Sequence, residues 1–247
     1  SSYTAKIPQD YDYEKLTDLD SNYLNGKKVG VLNSSESSEI EKELIKKVKK
    51  VLEGKGAVIV DVEFNISSDY KAAKEFYVLL YEFNVGMKNY LKGRDLPYET
   101  LEDIVAFNKA NADTVLKHFG QEIFLESLKA TDTERYLKER EDIGKLAKAQ
   151  IDSVLEENNL DVIIGLTRNP GWLTDLENGD SRGDGGISWA NGGLSAVAGY
   201  PHITIPLDFV NNLPVGISFL GTAWDEANLI NAAYSFEQEN KFFPIPE

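Results

Sequence analysis

The sequence contains no cysteine and only two histidines, His118 and His202, among its 247 residues. The absence of cysteine excludes disulfides, thiolate metal sites and a cysteine nucleophile. A Ser-His-Asp triad needs a histidine within hydrogen-bonding distance of its serine, and neither histidine lies in a recognisable nucleophile elbow. We therefore expect no thiol chemistry and no histidine-based triad.

Long apolar runs are also absent, and basic residues are few compared with acidic ones. No run approaches the roughly 18 residues that a membrane-spanning helix needs. Acidic residues outnumber basic ones by 41 to 26, which gives a net charge of −15. Such a charge repels phosphate backbones and anionic membrane surfaces. We expect no nucleic-acid or membrane partner and a cytoplasmic location, with a surface or secreted location left open.

The hydrophobic pattern predicts an α/β fold with a mixed β-sheet flanked by helices. An apolar strand over residues 27–32 is followed by a capping box, with Ser38 at the N-cap and Glu41 three residues later. The helix that follows leads to a second strand over residues 57–62. This strand, helix, strand order is typical of a parallel pair.

Further elements follow from periodicity and from turn residues. The expected helices cover residues 69–91, 101–107, 110–118 and 131–158, and a last helix opens at Asp225 and Glu226. The expected strands cover residues 161–165, 202–206 and 214–220. In the last strand Gly216 and Ser218 lie on one face and Val215, Ile217 and Phe219 on the other, and the small residues imply a close backbone approach on their face. Aromatic residues occupy more than one face of the helix at 69–91, which predicts burial on two sides. Residues 1–25 are predicted to be a connector, and residues 166–195 a long, polar, glycine-rich loop.

Two glycine pairs in this loop precede serines, at Gly185-Gly186-Ile187-Ser188 and Gly192-Gly193-Leu194-Ser195. Loops of this kind expose a nucleophile beside free backbone N–H groups, but glycine pairs also act as joints and helix caps. Because Trp189 and Ala196 follow these serines instead of a further serine and glycines, joints and caps are the preferred interpretation.

Four carboxylates on the same loop, Asp175, Glu177, Asp180 and Asp184, would suit a hard cation such as calcium. Their spacing departs from the EF-hand pattern, so a solvated acidic loop is the more ordinary explanation. We expect no metal and no cofactor.

Several segments, taken in order, resemble the C-terminal half of amidase-signature hydrolases. The most informative are AVAGYPHITIP at residues 196–206 and LPVGISFLG at residues 213–221. Others lie at residues 25–32, 80–91, 101–108 and 119–122. TDLENGD at residues 174–180 most resembles the branch that includes bacterial peptide amidases.

The resemblance implies that residues 1–247 are the C-terminal portion of a single amidase-signature domain, and so an incomplete version of that fold. Members hydrolyse a C–N amide bond through a serine, a bridging serine and a lysine, while backbone N–H groups stabilise the oxyanion. All three residues belong to the family's N-terminal half, and no position here matches them. We therefore expect amide hydrolysis by the intact protein and none by this chain alone.

In such relatives, the helix resembling residues 77–91 and the loop resembling residues 172–189 border the mouth of the active site. The resemblance therefore assigns six candidates for the substrate pocket: Glu82, Phe83, Trp172, Asp175, Asn178 and Asp180. The alternatives are packing for Phe83 and Trp172 and simple solvation for the acidic residues.

The implied partners are the missing N-terminal half and a small amide or peptide-amide substrate. The opening Ser1-Ser2, without Met, indicates trimming or truncation. Separation from the other half would expose apolar surface, which predicts self-association, domain swapping or disorder near residues 166–195. The alternative is a stand-alone pseudoenzyme or protein-interaction module that uses the same surface. A reading frame that extends upstream through a Gly-Gly-Ser-Ser motif would distinguish the two.

Overall fold

The computed structural model describes residues 6–33, 37–64, 74–177 and 192–243. Within these ranges the strands are β1 (Lys28–Leu32), β2 (Val58–Val62), β3 (Val162–Leu166), β4 (His202–Val210) and β5 (Leu213–Leu220). The helices are α1 (Glu39–Gly54), α2 (Lys74–Leu91), α3 (Leu101–Ala110), α4 (Ala112–Val115), α5 (Glu122–Lys129), α6 (Thr133–Asn158), α7 (Gly193–Ala198) and α8 (Glu226–Asn240). None of the helices in the described ranges is both long enough and apolar enough to cross a bilayer.

The chain divides into two compact units. The sheet unit contains the described residues of 6–64, 145–172 and 192–243, and the helical unit contains residues 74–144 and 173–177. The prediction that residues 1–247 belong to one domain stays a prediction.

The sheet unit is built on five strands in the order β2-β1-β3-β5-β4. Strand β1 pairs in parallel with both β2 and β3, whereas β5 pairs antiparallel with both β3 and β4. The mixed sheet and the parallel pairing of the first two strands are therefore confirmed.

Helix α1 begins at the capping box that the sequence predicts. Glu41 N donates to Ser38 Oγ at 3.3 Å, and Ser38 N donates to Glu41 Oε2 at 2.8 Å. Two of the backbone N–H groups that a helix start leaves free are thereby satisfied.

One face of the sheet packs against α1 and α8 to form the main core. Val31, Ile164 and Phe219 supply the sheet side, and Phe236 of α8 meets Phe219 edge to face at 5.8 Å between ring centroids. All four side chains are fully buried. Burying an aromatic or branched side chain contributes about 1.5–3 kcal/mol each relative to exposure, so this layer is the main stabilising contact of the unit.

Strand β4 is longer than the sequence predicts, because it continues past residue 206 to Val210. The pairing with β5 shifts between Pro206 and Asp208. Proline cannot donate to a strand ladder, so it is tolerated at an irregularity on an edge strand. Since β4 is the last strand in the sheet order, Pro206 interrupts the pattern without ending the strand.

The helical unit contains one helix that the periodicity does not reveal. Helix α5 (Glu122–Lys129) has only eight residues, and its N-cap, Gln121, makes no side-chain capping bond. It contacts both α2 and α3, and Phe124 lies 5.3 Å from Phe83 between ring centroids. Tertiary packing, and not a local start signal, accounts for this helix.

The expectation that α2 is buried on two sides holds for only part of the helix. Val78, Leu80 and Leu91 are buried, but large apolar side chains elsewhere on the helix are exposed, among them Leu79 at 54% and Tyr90 at 58%. Val78 and Leu80 are two residues apart and therefore lie on nearly opposite sides of the helix, so burial on two sides is confined to the N-terminal half of α2.

Candidate functional site

Three hydroxyl side chains meet where strand β3 ends. Ser218 Oγ on β5 lies 2.8 Å from Thr167 Oγ1 and 3.1 Å from Thr204 Oγ1 on β4. Thr167 follows directly after β3, and its backbone N–H donates to the Gly216 carbonyl at 2.9 Å. We call Thr167, Thr204 and Ser218 the hydroxyl cluster. It occupies the carboxyl edge of a strand in the parallel part of the sheet, where α/β sheets commonly bind ligands.

The alternation of β5 produces this arrangement. Val215, Ile217 and Phe219 point into the main core, so Gly216 and Ser218 point to the other face. A Cβ at position 216 would lie 2.7 Å from Thr204 Cγ2 and 2.9 Å from Thr167 Oγ1. Gly216 therefore leaves the space in which the hydroxyls meet, as its place on a small-residue face predicts.

The hydroxyl cluster has hydrogen-bonding capacity to spare. Three hydroxyl protons serve two contacts within the cluster, so at least one proton is available to another acceptor. Ser218 is fully buried, whereas Thr204 is exposed. Within the described ranges, none of the three side chains bonds to a carboxylate, lysine or histidine side chain. Without such a base a hydroxyl is a weak nucleophile, so the cluster is suited to binding a neutral polar group.

Trp172, one of the six pocket candidates, lies in the sheet unit and follows Thr167 of the hydroxyl cluster shortly along the chain. Its side chain is 38% exposed, and the Arg168 guanidinium carbon lies 5.5 Å from the Trp172 ring centroid. This is within the range of a cation–π contact. Trp172 is therefore a surface residue with a cationic neighbour and not a core residue.

Ser195 is poorly placed to act as a nucleophile. It is fully buried in α7, and its Oγ has no hydrogen-bond partner in the part of the chain that the structure describes. Gly192, just before α7, has φ +82° and lies against the imidazole of His202, because a Cβ there would be 3.3 Å from Cε1. The glycine pair at 192–193 thus begins the helix and lets the backbone pass close to the His202 imidazole. The pair at 185–186, with Ser188, falls outside the described residues.

Glu82, in the helical unit, is engaged in a hydrogen-bonded chain. Tyr136 donates its hydroxyl to Glu82 Oε1 at 2.7 Å and accepts from Arg140 Nη1 at 2.9 Å. Tyr81 stacks on Tyr136 with 4.2 Å between ring centroids. Burial raises the pKa of the Tyr136 hydroxyl, and the bond to Glu82 raises it further. Glu82 therefore fixes Tyr136 between α2 and α6.

The other candidates divide as follows. Phe83 is half-buried and packs on Phe124, which agrees with the packing alternative. Asp175 is half-buried and accepts a hydrogen bond from Glu177 N at 2.9 Å, which shapes a local turn. Asn178 and Asp180 lie outside the described residues. Glu82, Phe83 and Asp175 belong to the helical unit, whereas Trp172 belongs to the sheet unit.

Sequence reasoning missed Thr167 and Thr204. It identified the small-residue face of β5 through Gly216 and Ser218, but it did not connect that face to the neighbouring strands. The available signal was the alternation of His202, Thr204 and Pro206 on β4, which places Thr204 opposite Ser218. For the acidic loop, no cluster of three or more potential metal ligands occurs among the residues whose positions are described.

Comparisons with known proteins give a consistent result. The native peptide amidase from Stenotrophomonas maltophilia is 32% identical in sequence and superposes with a TM-score of 0.83, over 97% of this chain and 48% of that one. A probable amidase of Arabidopsis thaliana is 28% identical over 87% of this chain and 38% of its own length. A glutamyl-tRNA(Gln) amidotransferase subunit from Exiguobacterium sibiricum is 29% identical over 85% of this chain and 44% of its own length.

The chain thus spans about 40–50% of the length of these relatives. The amidase family model matches residues 1–230, which is most of the sequence and includes the helical unit, most of the sheet unit and the hydroxyl cluster. This chain therefore belongs to the amidase family.

Proposed function

We propose that this chain supplies the C-terminal half of an amidase-signature catalytic domain that hydrolyses a C–N amide bond. The observation that carries the proposal is the likeness to the S. maltophilia peptide amidase, which extends over 97% of this chain but 48% of that enzyme. A half-length match at this similarity is expected if the other half of the domain is supplied by further sequence.

In the proposed reaction, a serine of the N-terminal half attacks the amide carbonyl and gives its proton, through the bridging serine, to a neutral lysine. The amine leaves with a proton, and water then releases the carboxylic acid from the acyl-enzyme. None of these roles is assigned to a residue of this chain. The hydroxyl cluster is assigned to binding, since Thr167, Thr204 and Ser218 have no basic side chain beside them in the described ranges.

We assign to the hydroxyl cluster a hydrogen bond with the amide group of the substrate. An amide presents one acceptor and at least one donor to a neutral site, and hydroxyls offer both. Thr204 is the exposed member and would make the contact, while the buried Ser218 orients it. A small amide or a peptide amide fits this assignment, and the net charge of −15 disfavours steering of anionic substrates.

The proposed partner is the N-terminal half of the same domain. The helical unit exposes large apolar side chains that a partner surface would cover, among them Leu79 at 54% and Ile123 at 53%. Alone, the chain would use this surface for self-association, which sedimentation velocity would detect as concentration-dependent dimers or larger species.

The test is a complementation assay. The chain is assayed for ammonia release from amino-acid and peptide amides, alone and after co-expression with the upstream segment of its reading frame. We expect no turnover by the chain alone and turnover by the pair, lost when the serine of the upstream Gly-Gly-Ser-Ser motif is changed to alanine. Serine-dependent turnover by the isolated chain would overturn the proposal, as would a reading frame without that motif.

A further inference from the structure

A cavity of about 360 Å³ lies within the helical unit. Its lining residues are distant in sequence from the hydroxyl cluster. Its volume falls near the lower end of the roughly 300–1,000 Å³ typical of small-molecule sites. Phe76 and Leu80 of α2 and Ala130 after α5 line its apolar part. Leu80 and Ala130 are buried, and Phe76 is 45% exposed, so the cavity has a closed apolar floor and an open side.

Charges of both signs line the same cavity. Glu126 and Lys129 come from α5, and Arg135 comes from the first turn of α6. Glu126 and Lys129 are three residues apart on one helix, yet neither side chain forms an ion pair or hydrogen bond with any residue that the structure describes. A carboxylate and an ammonium are thus both available at the edge of an apolar floor.

The third charge, Arg135, is held in a fixed orientation. Its guanidinium carbon lies 3.7 Å from the Tyr77 ring centroid, and its Nε donates to Glu139 Oε1 at 2.8 Å. Tyr77 is itself anchored, because Asp132 N donates to its hydroxyl at 3.0 Å and the hydroxyl donates to Asp132 O at 3.2 Å. With Nε occupied, both terminal nitrogens of Arg135 remain without a hydrogen-bond partner among the described residues. A preorganised guanidinium edge of this kind suits a carboxylate.

The charge pattern selects the class of ligand. A simple anion would meet Lys129 and Arg135 but would also face Glu126, and a simple cation would meet Glu126 but would face both basic groups. A zwitterion satisfies both signs at once. We propose that this cavity binds a small zwitterion with an apolar side chain, such as a free aliphatic amino acid. Its carboxylate lies at Lys129 and Arg135, its ammonium at Glu126, and its side chain on Phe76, Leu80 and Ala130.

The test measures binding to this chain as it stands, so it does not depend on the proposed amidase activity. L-leucine, glycine, N-acetyl-L-leucine and L-leucinamide are titrated against ¹⁵N-labelled protein, and amide shifts of Leu80 and Ala130 are followed. We expect L-leucine to bind more tightly than the other three compounds. Glycine lacks the side chain, N-acetyl-L-leucine lacks the ammonium, and L-leucinamide lacks the carboxylate.

Two variants assign the charges. Lys129→Gln should weaken the binding of L-leucine and of N-acetyl-L-leucine on the order of fivefold each. The binding of L-leucinamide should be unchanged. Glu126→Gln should weaken L-leucine and L-leucinamide to a similar degree, while leaving N-acetyl-L-leucine unchanged. Lys138→Gln is the matched control, because Lys138 is an exposed lysine paired with Asp142 at 2.7 Å and does not line the cavity. The Lys138→Gln variant should bind all four compounds with the same affinity as the parent protein.

Since Glu126 and Lys129 are exposed, both variants should retain the parent's circular dichroism spectrum. The proposal is overturned if L-leucine causes no shift at Leu80 and Ala130 at tens of millimolar. It is also overturned if either blocked compound binds as well as L-leucine, or if neither charge variant changes the affinity for L-leucine.

Discussion

Asn228 Nδ2 donates a hydrogen bond to Asp225 Oδ2 at 2.8 Å, at the start of helix α8. The same nitrogen donates to the Asp161 carbonyl at 2.8 Å. Asp161 in turn accepts from Lys27 Nζ at 3.0 Å through its own carboxylate. This network links α8 to the segments that precede β1 and β3, so it joins three elements at the amino edge of the parallel strands.

Asp225→Asn should stabilise the protein at neutral pH. Burial raises the pKa of the Asp225 carboxyl, against an opposing effect of the Asn228 hydrogen bond. The folded state therefore holds this proton more tightly than the unfolded state, and ionisation costs stability at pH values above both pKa values. Asparagine keeps the acceptor for Asn228 and removes the charge. We expect a gain of about 1 kcal/mol or less in urea denaturation at pH 8.

The gain should shrink as the pH falls through the raised pKa of Asp225, because the parent then carries a neutral carboxyl as well. Asp10→Asn removes the same charge from an exposed position and should leave the stability nearly unchanged. If the stability gain of Asp225→Asn stays the same or grows as the pH is lowered from 8 to 4.5, the ionised Asp225 carboxyl is not the source of the gain.

Gly216→Ala should destabilise the sheet unit. The added Cβ would lie 2.7 Å from Thr204 Cγ2 and 2.9 Å from Thr167 Oγ1, so the Thr204 and Thr167 side chains must move. Overpacking of this kind costs about 1–3 kcal/mol. Gly86→Ala is the control, because a Cβ at position 86 meets nothing within 4 Å and the residue lies inside α2. It should gain about 0.5–1 kcal/mol. Equal unfolding midpoints for the two variants in thermal denaturation would be inconsistent with the close packing at Gly216.

Thr204→Val should weaken substrate binding if the hydroxyl cluster contacts the substrate amide as proposed. Valine has the same shape and β-branching, so strand β4 should be retained. Loss of one hydrogen bond of about 0.5–1.5 kcal/mol corresponds to a rise in KM of roughly twofold to tenfold. The change in kcat should be smaller.

The measurement is steady-state amide hydrolysis by this chain paired with the proposed N-terminal half. Thr222→Val, an exposed threonine of the same unit outside the cluster, is the matched control and should leave KM unchanged. Identical KM values for Thr204→Val and the parent would remove the hydroxyl cluster from the substrate site.

Ser38→Ala should destabilise helix α1 through the loss of its N-cap. The Ser38 hydroxyl accepts from Glu41 N at 3.3 Å, and alanine leaves this N–H without a side-chain acceptor. Such a change costs about 1 kcal/mol, with a range of roughly 0.5–2. Ser38→Asp keeps an acceptor and adds a negative charge that the helix N-terminus favours, so its denaturation midpoint should match or exceed that of the parent. A Ser38→Asp variant as unstable as Ser38→Ala would show that capping is not the cause.

Local signals predicted most of the sheet unit. The capping box at Ser38 and Glu41 and the alternation around Ile217 are both short-range patterns, and each depends on geometry that the chain carries within a few residues. Proline at position 206 misled the prediction because its effect on a strand depends on whether that strand lies at the edge of the sheet. Edge position is a property of the complete strand order.

The helical unit was less predictable for a related reason. Helix α5 has no side-chain cap at Gln121, so its formation depends on contact with α2 and α3. Glu82 was correctly placed on a long helix, but its pairing with Tyr136 joins residues 54 positions apart in sequence. Periodicity contains no information about which distant side chains meet.

The sequence by itself determined the family, the order of most elements and the faces of their apolar residues, because recurring motifs and short-range periodicity carry this information. Only the tertiary structure decided that Thr167, Thr204 and Ser218 share one hydrogen-bonded cluster, and that Glu126, Lys129 and Arg135 border one cavity. These sets come from segments that are distant in sequence or from different helices. Their proximity follows from strand order and helix packing, which arise from the burial of the whole apolar surface at once.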